Sequence, residues 1–180
     1  TWLQMLFFRV FGTSVLSLSL LKNGLLLSTY VLVFLSARTL LRSTRLAVLA
    51  ACSLLLIPQI SWESQRDLTH SVLATTLSAA TLFSVLALLE SAELKFYFGL
   101  GLAMGLGMLT KYNYAVFLAA FLLALFSYPR GRSLLFDWKF LLTLAVALLF
   151  WAPYCYWLAS SWNAATSSVH KLNIVEHDFI

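Results

Sequence analysis

The run Trp62-Glu63-Ser64-Gln65-Arg66-Asp67-Leu68-Thr69-His70 gathers two carboxylates, a guanidinium and an imidazole within nine residues, between long apolar stretches. Read as the opening turns of a helix, it puts Glu63, Asp67 and His70 at i, i+4 and i+7, with Arg66 at i+3. Those spacings share one helical face. Ionisable groups that share a face at a membrane boundary usually line a cavity or a substrate path. The plainer reading is a solvated interfacial loop stitched by an Arg66–Asp67 or Glu63–Arg66 pair. A second polar cluster, Thr110-Lys111-Tyr112-Asn113-Tyr114, interrupts the apolar sequence further on.

Membrane helices must position both clusters. The chain is 180 residues long, 61% hydrophobic and 11% charged. Its mean hydropathy is +0.88. Soluble domains carry roughly 25% charged residues, so the fold class is all-α, a polytopic transmembrane bundle. The net charge of +5 is scattered, with no recurring basic patch, which argues against a nucleic-acid partner. Cys52 and Cys155 lie apart in apolar segments, so neither a disulfide framework nor a structural zinc site is expected.

About six spans are expected: 15–37, 46–60, 70–89, 96–110, 114–127 and 140–158, with a polar tail over 159–180. Residues 1–12 read either as an interfacial helix or as the end of a preceding segment. Lys22 lies near enough to the end of the first span to snorkel. Pro58 bends or ends the second span before the polar run. Residues 96–127 would make a single helix of about 48 Å, too long for a core of roughly 30 Å. Two short helices turning at Lys111-Tyr112-Asn113 fit better. Gly99, Gly101, Ala103, Gly105 and Gly107 form small-xxx-small patterns suited to close helix packing.

This alternation puts Arg38, Arg42, Arg45, Lys95, Arg130, Arg132 and Lys139 on one side, which basic-loop bias makes cytoplasmic. The 62–70 run, the 110–114 turn and the tail then meet on the extracytoplasmic side.

Pro58-Gln59-Ile60-Ser61 running on through Glu63, Arg66, Asp67 and His70 to Leu73 resembles bacterial members of glycosyltransferase family 39. These are membrane enzymes of the GT-C fold, grouped with protein mannosyltransferases and aminoarabinose transferases. Leu109-Thr110-Lys111-Tyr112-Asn113-Tyr114 is similar to the Lys-bearing segment after that family's Gly-rich helix, and Thr1-Trp2-Leu3-Gln4 to the segment after its first extracytoplasmic loop. The resemblance covers nearly the whole chain, as the middle of the family's membrane domain. It implies a fragment whose catalytic acidic loop, holding the general base, would precede Thr1.

The implied activity is transfer of a sugar from a polyprenyl-phosphate-linked donor to a glycan, lipid or protein acceptor of the cell envelope, outside a bacterial inner membrane. The fragment alone is then expected to be inactive. Lys111 and Arg66 become candidate phosphate ligands. Glu63 and Asp67 would orient those cations or bind sugar hydroxyls. His70 would bond phosphate or sugar, or simply pack. Tyr112 and Tyr114 would stack on sugar or mark the interface, with Asn113 beside them. No cofactor is expected, and the resemblance leaves a divalent-metal requirement open. Two other classes compete. A transporter or flippase of a lipid-linked sugar would show inverted repeats and midplane charges, and neither is visible. An assembly subunit would leave the charged face at 63–70 without a purpose.

Overall fold

The computed structural model describes residues 2–64 and 69–160, without the side chains of Trp2, Thr69, Tyr112, Leu158 and Ala159. These residues are helical nearly throughout. In chain order the helices are α1 (Trp2–Phe11), α2 (Val15–Leu41), α3 (Thr44–Ser53), α4 (Thr69–Glu90), α5 (Leu94–Met108), α6 (Tyr112–Ser127), α7 (Pro129–Leu135) and α8 (Phe140–Ser160).

Local sequence accounts for the breaks. Gly12 takes a positive φ of 77°, and Ser14 then caps α2 by accepting the Ser17 N–H at 3.1 Å. Arg42 closes α2 in the left-handed region, and Ser43 caps α3, so two residues suffice to reverse the chain. After α3 the helix tightens into a 3₁₀ turn, Leu54–Leu56. Ile57 is extended, as a residue before proline tends to be, and Gln59–Glu63 then widens into a π-helix. The span expected over 46–60 is therefore not one continuous α-helix. Pro58 supplies no N–H, and the backbone regroups on either side of it.

The helices pack in the order α3, α2, α4, α5, α8, with α6 and α7 laid against α4 and α5. Gly101 and Gly105 let α5 meet α8 backbone to backbone. A Cβ at Gly101 would stand 2.7 Å from the Thr143 carbonyl oxygen, and one at Gly105 would stand 2.9 Å from that of Ala147. The other small-residue stripe faces elsewhere. Gly99 lies beside Ser84 of α4, and Gly107 lies under the ring of Tyr114. Val85, Leu88, Tyr97, Leu100, Leu125, Leu134 and Phe140 form the core where α4 to α8 converge.

Among the described residues, three helices are long and apolar enough to cross a membrane: Val15–Leu41, His70–Glu90 and Phe140–Trp157. Four qualify if α6 and α7, bent by 115° at Tyr128, count as one broken span. The apolar helices Thr44–Leu56 and Leu94–Met108 are shorter. Val15, Leu16 and Leu27 on α2 and Leu141, Leu148 and Leu149 on α8 are exposed, as lipid-facing positions are.

Candidate functional site

Lys111 sits between α5 and α6 in an extended conformation, its side chain exposed. It occupies the N-cap position of α6. The first-turn amides of Tyr112 and Asn113 have no intrahelical acceptor, so they point toward the same end as the ammonium. Among the described residues no ion pair engages Lys111; the one salt bridge joins Lys95 to Glu93 at 2.7 Å, elsewhere in the fold. Glu63 therefore does not neutralise it.

Tyr114 fixes this corner. It is 2% exposed. Its hydroxyl donates to the Ala103 carbonyl at 2.9 Å and lies 2.7 Å from Thr81 Oγ1, tying α6 to both α5 and α4. The ring lies over Gly107, where no side chain would fit. Tyr114 is neither a sugar-stacking surface nor an interfacial marker: it is a buried strut. An apolar ring can be buried in this setting because both partners of its one polar atom are at hand.

Gly99 beside Ser84 sets the antiparallel register of α4 and α5. Lys111 lies twelve residues beyond Gly99, and Val72 lies twelve residues before Ser84. At about 1.5 Å per residue, Lys111 comes level with the first turn of α4, within a turn of His70. His70 is half-buried and Asn113 exposed. Glu63 is exposed at the end of the π-helix, and its expected alignment with Asp67 and His70 runs through residues 65–68, outside the described residues. Arg66 and Asp67 lie outside the described residues, as does the Tyr112 side chain.

A cavity of about 110 Å³ opens beneath the polar run, lined by Leu26 of α2, Gln59, Ile60 and Ser64 of the π-helical segment, and Ser71, Val72 and Thr75 of α4. Its polar groups are neutral hydroxyls and an amide. Close by, Thr76 Oγ1 donates to the Leu25 carbonyl and lies 3.0 Å from Thr29 Oγ1, pinning α2 to α4. Lys22 belongs to this neighbourhood. It shares a helical face with Leu26 and Thr29 at i+4 and i+7, and it is buried rather than snorkelling outward. The sequence carried its signal, a lysine inside an apolar span, but not its direction. No three His, Cys, Asp or Glu side chains gather as a metal site would need among the described residues.

Residues 1–157 match the family model described as dolichyl-phosphate-mannose-protein mannosyltransferase. The chain belongs to this mannosyltransferase family. Among curated relatives of the family, the chain is 40% identical over 166 residues to the lipopolysaccharide core galacturonosyltransferase RgtB of Rhizobium johnstonii, covering 92% of the chain and 34% of the relative. It is 32% identical to RgtA of the same organism, also a lipopolysaccharide core galacturonosyltransferase, over 92% of the chain and 33% of that relative. The chain thus spans about a third of the length of these relatives. No solved structure matches it.

Proposed function

We propose that this chain is part of an integral-membrane glycosyltransferase of the bacterial inner membrane, moving a sugar from a polyprenyl-phosphate carrier to a cell-envelope acceptor on the extracytoplasmic face. The observation that carries the reading is the α5–α6 corner: an exposed ammonium at a helix N-terminus, free of ion pairs with described residues, held rigidly by Tyr114. Such a corner suits an anionic phosphate at the bilayer edge. A lipid-phosphate leaving group needs that kind of cationic stabilisation. The general base belongs to chain outside these residues. The relatives' names extend the reading to a uronic-acid donor and a lipopolysaccharide core acceptor. A uronate brings a second negative charge, for which His70 is an ionisable candidate and Arg66 a cationic one by sequence, and the neutral cavity at Ser64, Ser71 and Thr75 offers partners for hydroxyls. The loops bearing Arg38 to Arg45 and Arg130 to Lys139 then face the cytoplasm.

The test is Lys111→Met in the full-length protein. With no carboxylate among the described residues relying on Lys111, stability should change by less than about 0.5 kcal/mol. Donor use should fall at least about tenfold, the loss of one charge-assisted phosphate contact. Wild-type turnover would remove phosphate binding from Lys111. A large drop in melting temperature with unchanged donor affinity would make it a structural cation instead.

A further inference from the structure

On the opposite face, where the basic loops lie, a cavity of about 180 Å³ opens between α7 and the corner that joins α4 to α5. Arg130, Ser133 and Leu134, at i, i+3 and i+4 on one face of α7, line one wall with Asp137 from the turn that follows the helix. Leu88, Leu89, Ala92 and Tyr97 form the other wall. Asp137 is fixed there: its Oδ2 accepts the Tyr97 hydroxyl and its Oδ1 the Lys139 backbone N–H, each at 3.0 Å. Those two bonds leave lone pairs free on both carboxylate oxygens. Lys139 donates its ammonium to the carbonyl of Ala92, a lining residue, at 3.1 Å, and its charge acts on Asp137 without forming an ion pair. Among the described residues Arg130 makes no ion pair, with Asp137 or with any other acid. The cavity therefore presents a guanidinium and a carboxylate that form no ion pair with each other, over a leucine floor.

We propose that this cavity binds the headgroup of a phosphoethanolamine lipid from the adjoining leaflet, its phosphate on Arg130 and its ammonium on Asp137. The surroundings supply such a ligand. Phe136 and Trp138 flank Asp137 and are 78% and 73% exposed, as aromatic side chains at headgroup depth are. The 115° bend at Tyr128 turns α7 toward the plane of the bilayer if α6 crosses it. A zwitterion with its charges two carbons apart can engage Arg130 and Asp137 at once, whereas an anionic glycerol headgroup brings Asp137 no N–H donor. A trimethylated choline headgroup keeps the charge but has no N–H to donate. The site stands apart from the Lys111 corner and does not depend on the enzymatic reading.

The experiment is native mass spectrometry of the full-length protein, equilibrated with equal amounts of phosphatidylethanolamine, phosphatidylglycerol and phosphatidylcholine. Wild type should retain the ethanolamine lipid about tenfold over the other two, the selectivity expected of one charge-assisted hydrogen bond. Asp137→Asn keeps an oxygen for the Tyr97 hydroxyl and should bring that selectivity close to one. Arg130→Gln breaks no hydrogen bond to a described residue, and it should lower retention of the ethanolamine and glycerol lipids alike. Should Asp137→Asn fail to fold, Arg130→Gln decides. Equal or stronger retention of phosphatidylglycerol by wild type would overturn the proposal, as would unchanged ethanolamine-lipid retention in Arg130→Gln.

Discussion

Gly107→Ala tests the corner that holds Lys111 in place. On an open helix face this change gains about 1 kcal/mol in helix propensity. At 107 the new methyl would run into ring carbons of Tyr114. That ring is buried, and its hydroxyl is held by Ala103 and Thr81 at 2.9 and 2.7 Å. Overpacking of this kind costs roughly 1–3 kcal/mol. Displacing the ring also loosens the two hydroxyl bonds, at about 0.6–1.5 kcal/mol each in a membrane bundle. After subtracting the propensity gain, the net loss is about 1–5 kcal/mol. In a Tyr114→Ala background the obstacle is gone, so Gly107→Ala should become neutral or stabilise by up to about 1 kcal/mol. The effect of one methyl thus changes sign with the residue seven positions on, which a double-mutant cycle of melting temperatures reads directly. A single Gly107→Ala variant melting at or above wild type would refute the packing argument, and with it the claim that Tyr114 is a strut.

Gly105→Leu should lower folded yield sharply, because its side chain would have to displace the α8 backbone at Ala147; unchanged yield would place that face in lipid. Single cysteines at Ser43 and at the exposed Ser61, in a background lacking Cys52 and Cys155, should differ in labelling by an impermeant thiol reagent, with stronger labelling at 61 in spheroplasts; the reverse would invert the proposed topology. Asp137 accepts the Lys139 N–H and the Tyr97 hydroxyl, and these, the backbone bond foremost, hold its carboxyl below the ordinary range. A depressed carboxylate stabilises the fold above the unfolded-state value of about 4, and that stabilisation is lost as pH falls through the folded value. The stability difference between wild type and Asp137→Asn should therefore stay constant near neutrality and shrink below about pH 4; a difference that grows on acidification would show the carboxyl to be raised instead.

Much of the helical outline was legible because lipid leaves the backbone few alternatives. An apolar run of sufficient length must satisfy its own N–H groups and so becomes a helix. The close approach at Gly101 and Gly105 could be read for a related reason, since glycines four apart leave a groove that only another helix backbone fills well. What could not be read was the break at Pro58. The sequence shows that the α-helix cannot pass through unchanged, but not that it tightens into a 3₁₀ turn before the proline and widens into a π-helix after it.

Side-chain direction was the other illegible quantity, and it separates structural from functional polarity in this fold. Tyr112 and Tyr114 read alike in sequence, as amphipathic rings near a membrane boundary, yet Tyr114 turns inward because a glycine lies beneath it and a threonine hydroxyl lies within reach. Lys22 resembles a snorkelling lysine by position, yet it is buried on the α2 face that carries Leu26 and Thr29 toward α4. In both cases the deciding partner comes from another helix, far away in sequence. Thr81 is 33 residues from Tyr114, and Thr76 is 47 residues from Thr29. Periodicity along one helix reports which residues share a face, but not which neighbour that face will meet. Hydroxyl-to-hydroxyl and hydroxyl-to-carbonyl bonds of this kind are well suited to a bilayer, where they lock helices together without charge. Lys111 makes no ion pair with a described residue, and the side-chain bonds that fix its corner are made by Tyr114, three residues away.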